Sequence, residues 1–340
     1  MLNADVEVDR RDFTVRALLS VGAGERVALF GPSGAGKTTV LEAIAGLVPL
    51  RGGRIVLGER VLYGRGVAVP PWRRRVGLLR QDPGLFPHLS VRANLCYARS
   101  ASGQEVFAVA EALDIDGLLQ AMPAALSGGQ RHRVALGRLL LAHCDALLLD
   151  EPFASLDLSL RRSLSALVRS VSSERSLPSV LVTHQLADAQ AFADRLLVID
   201  RGTVLQEGAP SDVVLRPASR RVAELVGYLG FVPGPAASPG SAGAGSADGT
   251  VAGVHPDRVV AGEDPGRVAA DGGMTVRATV TATRPSGAVW EADLTVGDAA
   301  FTCRLPSRPE GTSVTVTLLD PPFFAADGEG KALPRRVIQH

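Results

Sequence analysis

Apolar and polar residues alternate at 6–8 and 15–19, the period-two pattern of strands with one buried face. Residues 26–30, Arg-Val-Ala-Leu-Phe, form a run that predicts a buried strand leading straight into a glycine-rich turn, with a helix following over 38–47. Further apolar runs at 146–149, 180–183 and 196–199 predict strands, and the stretches 160–172 and 185–193 between them predict helices. This alternation of short strands and helices predicts an α/β domain with a mainly parallel sheet.

The pattern changes after Phe231. Within 232–249 every residue except Val232 and Asp248 is Pro, Gly, Ala or Ser, which predicts a flexible linker or insertion over 231–250. Beyond it, 275–283, 289–296, 300–305 and 313–318 alternate again, broken by the turn pairs Ser286-Gly287 and Gly297-Asp298. A small antiparallel barrel or sandwich over 251–340 is expected, behind a larger domain at 1–230.

Composition limits what such a chain does. With 340 residues, 46% of them hydrophobic, it can bury a large core. Its 36 basic and 35 acidic residues leave no net field of the kind that selects nucleic acid or an anionic membrane. Cys96, Cys144 and Cys303 lie far apart, outside any CxxC pair or Cys/His cluster, as suits a reducing cytoplasm. The first residues are charged and lack a signal peptide's apolar core, so export is not expected. The most apolar stretch, 134–149, is interrupted by Arg138, His143 and Asp145, so a membrane process would need another chain to span the bilayer.

The chemistry begins at Gly31-Pro-Ser-Gly-Ala-Gly-Lys37-Thr38, a GxxxxGK[ST] sequence between a predicted strand and a predicted helix. Glycines there let backbone N–H groups turn inward around phosphate oxygens, and the helix start adds a favourable dipole. Lys37 is placed to reach the β- and γ-phosphates of a nucleotide, and the Thr38 hydroxyl to ligate Mg²⁺. Gly31, Pro32, Ser33, Gly34, Ala35, Gly36, Lys37, Thr38 and the adjoining Thr39 are the candidate ATP contacts. At 147–151 an apolar strand ends in Asp150 and Glu151: Asp150 is the candidate Mg²⁺ ligand, and Glu151 the candidate to orient and deprotonate the attacking water.

Leu126-Ser-Gly-Gly-Gln130, just ahead of that strand, narrows the choice, because this motif resembles the ABC ATPase superfamily. The resemblance covers about residues 5–227 and includes, in family order, the phosphate loop, Gln81, the 126–130 motif, the 149–151 strand end, Ser155-Leu156-Asp157 and His184. It implies a P-loop ABC cassette with a helical subdomain at about 82–140. Gln81 then resembles the residue that senses Mg²⁺ and the γ-phosphate, and His184 the switch histidine on that phosphate. The 155–157 loop, with Asp157, resembles the one that couples two nucleotide sites. Ser127, Gly128, Gly129 and Gln130, at a predicted helix start, are expected to bind the phosphate of a nucleotide held by a second copy, in a head-to-tail dimer. Phe13 is the candidate adenine platform or, equally, a plain core phenylalanine.

Other segments are similar to bacterial import ATPases. In such importers the 82–92 region, with Leu85 and Phe86, helps form the groove that receives a membrane permease; packing within the subdomain is the alternative. The permease would in turn engage a solute-binding protein. Arg73-Arg74-Arg75 reads as a solvated face. Arg74-Arg75-Val76-Gly77, Leu85-Phe86-Pro87-His88 and Gly53-Arg54-Ile55-Val56-Leu57 resemble the molybdate branch, several of them shared with sulfate, ferric-iron and polyamine importers. The C-terminal region resembles the small TOBE-type, OB-like all-β domain, and Gly253-Val-His-Pro-Asp-Arg258 resembles a segment of sugar and polyamine relatives. That domain is expected either to bind an oxyanion and regulate or to serve structure and dimerisation. The resemblance places the chain peripherally at the cytoplasmic face of the membrane. Soluble ABC proteins that act on nucleic acid carry paired cassettes, coiled-coil insertions or zinc cysteines, which this sequence does not show.

Overall fold

The computed structural model describes residues 1–97, 102–154, 156–228, 230–233, 250–255, 259–261, 274–286, 289–296, 299–305, 308–309, 313–318, 321 and 323–325. The expected linker, Ser155 and the Pro256-Asp257-Arg258 segment fall wholly or largely outside these residues. Two compact units divide the chain, Met1–Ser211 and Asp212–His340.

The first unit is built on one eleven-stranded sheet. Its first half contains β1 (Leu2–Asp9), β2 (Thr14–Val21), β3 (Arg26–Phe30), α1 (Lys37–Ala45), β4 (Gly52–Leu57), β5 (Arg60–Gly64), β6 (Val67–Ala68), α2 (Pro71–Arg74) and β7 (Val76–Leu79). Helices α3 (Val91–Cys96), α4 (Gly103–Ala112) and α5 (Gly128–Leu141) follow. Then come β8 (Ala146–Asp150), α6 (Leu158–Glu174), β9 (Ser179–Thr183), α7 (Leu186–Phe192), β10 (Arg195–Asp200) and β11 (Thr203–Gly208). Strand order is β6-β5-β4-β1-β2-β11-β10-β3-β9-β8-β7.

The sheet is not mainly parallel, as the sequence pattern suggests. β10, β3, β9, β8 and β7 run parallel, whereas β1, β2, β4, β5 and β6 pair antiparallel. Connection length explains the split, since parallel neighbours need a crossover and antiparallel ones need only a tight turn such as Gly58-Glu59. Burial follows topology: every residue of β8 and β9 is buried, while β1 alternates buried and outward positions. A shared core of Leu2, Val6, Val15, Leu29, Leu148 and Ile199 from the strands meets Val40, Leu41 and Ile44 of α1.

Arg74 does not lie on a solvated face. It is 3% exposed, and its guanidinium donates to the carbonyls of Ala43 (3.0 Å), Ile44 (2.8 Å) and Val69 (2.8 Å). The last carbonyls of α1 have no partner within the helix, and a cation there is also favoured by the helix dipole. One buried side chain thus fixes the far end of the helix that begins at Lys37. Arg73 and Arg75 are exposed, as expected.

Helix α8 (Pro210–Leu215) begins with the last residues of the first unit, and α9 (Arg220–Leu225) lies within the second, where the Tyr228 hydroxyl donates to Val214 O at 2.9 Å. Its strands are β12 (Gly230–Pro233), β13 (Thr250–Val254), β14 (Val259–Ala261), β15 (Met274–Ser286), β16 (Val289–Val296), β17 (Ala299–Leu305), β18 (Ser313–Leu318) and β19 (Phe323–Ala325). They form a three-stranded sheet, β12-β13-β19, and a five-stranded sheet, β14-β18-β15-β16-β17, with every pairing antiparallel. Ala252 and Val254 of the small sheet share a core with Ala278, Leu294, Phe301 and Val316 of the larger one, the packing of a small sandwich.

Removing the Arg74 cap takes a charged donor from the Ile44 and Val69 carbonyls and leaves Ala43 O with the Gly46 N–H alone, at 3.1 Å. Arg74→Ala is expected to cost on the order of 3 kcal/mol, read as a lower urea midpoint with an unchanged slope. Stability equal to the parent would refute the capping role.

Candidate nucleotide-binding site

Four parallel strands end at one edge of the sheet, the place where α/β proteins bind ligands. β3 runs from Phe30 into Gly31, and β8 ends at Asp150 with Glu151 directly after it. Phe30 pairs with Thr183 and Asp150 with Val182, so His184 leaves β9 at the same level. Leu79 of β7 lies opposite Leu149, which brings the backbone of Gln81 level with Glu151; its side chain is exposed.

The 31–38 turn is packed too closely from behind to take larger residues. A Cβ at Gly31 would lie 2.0 Å from the Ile199 carbonyl oxygen, and Gly36 has φ 101° with Val15 Cγ2 2.8 Å from where its Cβ would be. The Gly202 N–H donates to Ala35 O at 2.9 Å, tying the turn between β10 and β11 to the loop. Lys37, 5% exposed, donates from Nζ to Gly31 O and Pro32 O, both at 2.8 Å. Its ammonium is thereby held over the loop that it serves. Burial lowers the Lys37 pKa, and the nearby Glu151 and Asp150 carboxylates oppose that shift.

Across the edge, the Thr38 hydroxyl donates to Asp150 Oδ1 at 3.2 Å. Asp150 is 4% exposed. Burial raises its pKa, the Thr38 hydrogen bond opposes the shift, and the adjacent Glu151 charge adds to it. Glu151 has φ 49°, a left-handed conformation costing roughly 1 kcal/mol for a non-glycine residue. It is held there by its own N–H, which donates to Val182 O at 2.9 Å. Glu151 Oε1 is 2.9 Å from His184 Nδ1. Because a carboxylate only accepts, that contact needs the proton on Nδ1.

These groups fit a magnesium nucleotide. The Thr38 hydroxyl and Asp150 carboxylate are hard oxygen donors, the kind that Mg²⁺ prefers. Among the described residues no group of three or more His, Cys, Asp or Glu forms a closed metal cage, so a cation here would draw its other ligands from phosphate and water. Thr39 is held differently: its hydroxyl accepts from Arg10 Nε at 2.8 Å and Nη2 at 2.6 Å. Arg10 also lies 3.8 Å from Glu42, and no local motif announces it. The half-buried Phe13 packs on the core, with Cε2 3.6 Å from a Cβ placed on Gly36.

The second motif stands apart. Ser127 caps α5, accepting from Gln130 N at 3.2 Å while its own N–H donates to Gln130 Oε1 at 2.8 Å. None of these bonds leaves the helix start, and Ser127 and Gly128 are exposed. Asp157, likewise exposed, caps α6 by accepting from Leu160 N at 3.0 Å. One chain therefore assembles Lys37, Thr38, Asp150, Glu151 and His184 at a strand edge, and presents 127–130 and Asp157 as separate helix starts.

The 82–92 region is shaped by two residues that its own sequence does not reveal. Asn94, fully buried, donates to the carbonyls of Phe86, Leu89 and Ser90 and accepts from Phe86 N at 2.9 Å. Arg138 donates to Pro83 O and Gly84 O and lies 5.3 Å from the Phe86 ring centre. An open cleft of about 400 Å³ lies beside this loop, lined by Leu78, Pro83, Tyr97, Ala135, Arg138 and Leu139 among others.

A phosphate loop facing an acid pair and a histidine across parallel strand ends is the arrangement of a P-loop cassette. Residues 16–154 of this cassette match the ABC transporter family. The chain is 39% identical over 220 residues to the Fe(3+) ions import ATP-binding protein FbpC of Mesorhizobium japonicum, spanning 63% of this chain and 61% of that one. It is 41% identical over 205 residues to the molybdenum import ATP-binding protein ModC of Vibrio parahaemolyticus, spanning 59% of this chain and 56% of that one. The chain thus matches less than two thirds of the length of these relatives. A solved bacterial Atm1-family ABC exporter with ATP bound is similar with a TM-score of 0.56 and 29% identity, over 66% of this chain and 41% of that one. Among the described residues no helix is long and apolar enough to cross a membrane.

A raised carboxyl pKa means that ionised Asp150 opposes folding. Its stability contribution is greatest below the unfolded carboxyl value of 3.8 and is lost as pH rises through the higher folded value. Asp150→Asn is therefore expected to stabilise the nucleotide-free protein at pH 7 by about 0.5–2 kcal/mol, with the gain vanishing toward pH 4 and below. Thermal melts across pH check this, and a destabilised variant at pH 7 would contradict it.

Proposed function

We propose that this chain is the ATP-binding and hydrolysing subunit of a bacterial ABC importer, working as a head-to-tail dimer. The observation that carries the reading is the 2.9 Å contact between Glu151 and His184 at the edge where Thr38 meets Asp150. That pairing gives a carboxylate held in place to accept a proton from water, opposite residues suited to a magnesium nucleotide. Lys37 would exchange its loop carbonyls for the β- and γ-phosphate oxygens. Thr38, Asp150 and Gln81 would hold Mg²⁺, which when bound neutralises charge on those oxygens. Glu151 takes the proton of the attacking water, and His184 orients Glu151 and the γ-phosphate. Phe13, beside Gly36, offers its outer face to adenine.

The exposed start of α5 supports a shared site. Ser127, Gly128, Gly129 and Gln130 form a fourteen-residue helix's N-terminus and its cap, suited to a phosphate, yet their hydrogen bonds do not reach the phosphate loop of their own chain. A second copy, rotated head to tail, would supply that phosphate, with Asp157 and the adjoining 155–156 loop between the two sites.

Relatives named for iron and molybdenum import support an importer and leave the solute open to several ions. Molybdate is the preferred solute, with ferric iron, sulfate, polyamine or sugar as alternatives. The 82–92 loop beside the cleft would dock a membrane permease, which links the subunit indirectly to a solute-binding protein and holds it at the cytoplasmic face of the membrane. The C-terminal sandwich fits a TOBE-like accessory domain.

Glu151→Gln is expected to keep ATP affinity within about threefold while lowering turnover by on the order of 10²–10⁴. In size-exclusion chromatography with ATP it should run as a dimer. Normal turnover, or a monomer under saturating ATP, would overturn the reading.

A further inference from the structure

One half-buried cation at the edge of the site has no part in the chemistry described so far. Arg161, on the first turn of α6, has a side chain only 20% exposed. Its Nη2 donates to Leu156 O at 3.3 Å, and its Nη1 donates to Gln185 Oε1 and lies 3.5 Å from Asp188 Oδ1. Its backbone N–H also donates to Asp157 O at 2.9 Å. Gln185 directly follows His184, and its own N–H donates to Thr183 Oγ1 at 3.0 Å. Asp188, 5% exposed, lies one helical turn further along α7.

A guanidinium is planar, with its donors in a fixed fork. It can keep all three partners only while the 156–157 turn, the 184–185 turn and the start of α7 hold one relative arrangement. Leu156 O is a main-chain acceptor, so movement of that turn acts directly on Nη2. The charge is balanced by a nearly buried carboxylate, so releasing the fork would leave Asp188 unpaired, which is costly. The outer side of this turn carries the exposed Asp157 and Leu158, the latter 61% exposed.

We infer that Arg161 is a positioning residue that locks the 156–157 turn to the His184–Gln185 turn, so that a second copy pressing on Asp157 and Leu158 sets the position of His184. This rests on the dimer reading above. It assigns a physical link between the surface where copies meet and the histidine that orients the γ-phosphate. The partners of the Arg161 side chain are Leu156, Gln185 and Asp188, none of them a nucleotide contact proposed above. Its loss should therefore reduce turnover and leave ATP binding nearly intact.

The test is a double-mutant cycle on the full-length chain, measuring steady-state MgATP turnover for the parent, Arg161→Ala, His184→Ala and the double variant, with thermal melts alongside. Arg161→Ala is expected to lower kcat at least about tenfold with KM for ATP changed less than about twofold, and the double variant should be no slower than His184→Ala. Independent, multiplicative losses would overturn the inference while leaving the ATPase reading intact. Full turnover in His184→Ala would overturn both. Should Arg161→Ala fail to fold, Arg161→Lys decides. It keeps the ion pair to Asp188 but not the three-way fork, and is expected to fold, bind ATP normally and lose most of the same kcat. A folded Arg161→Lys with parental turnover would refute the link.

Discussion

Lys37, Asp150 and Glu151 occupy one edge of a sheet, the first two almost entirely out of water. Taking a charge from water into a protein interior costs several kcal/mol unless partners compensate it. Here compensation is incomplete: burial pushes Lys37 toward its neutral form and Asp150 toward its protonated form. The charges stay because the fold leaves them nowhere else to go. Asp150 terminates a strand whose every residue is buried, and Lys37 opens a helix packed onto the core. On the proposed reading a triphosphate with its cation would supply the missing charges, which would make this edge complementary to the ligand and not to its own side chains.

The rest of the first unit holds that edge in position. Parallel pairing fixes the levels of Gly31, Asp150 and His184, because register leaves no freedom to slide without turning each side chain to the other face. The turn between β10 and β11 holds the phosphate loop from behind through Gly202 and Ala35. Arg74 secures the far end of α1. The antiparallel strands add no functional group to the edge, but β1 and β2 carry Arg10 and Phe13 on their connecting loop, beside Thr39 and Gly36. Structure and chemistry meet here through the backbone: the most specific features are carbonyls and N–H groups presented by turns.

Contiguous features were legible in the sequence. The 31–38 turn, the acids at 150–151 and the Ser127 helix start each need a fixed spacing along the chain, so their physics shows in a short window. The Ser127–Gln130 capping box is such a case. Features that depend on distant partners were not legible. Arg10 reaches Thr39 across 29 positions, and Arg74 reaches Ala43 across 31, so Arg74 reads as one member of a charged run. Asn94 acts through main-chain carbonyls that any residue could supply, and Arg161 through one such carbonyl and two side chains of a distant segment, Gln185 and Asp188, so neither leaves a local trace. The antiparallel lobe was misjudged because the period-two pattern is carried by only some of its strands, and β6 has two residues, both exposed.

On the proposed reading, each nucleotide site joins the phosphate loop of one copy to the Ser127 helix start of another. Mixing two inactive variants tests it most directly. Lys37→Ala and Ser127→Arg should each abolish ATP turnover alone. In a mixed dimer both defects fall in the same site, and the other site keeps an intact Lys37 and an intact Ser127. Turnover is therefore expected to reappear on mixing. A mixture as inactive as its parents would contradict it.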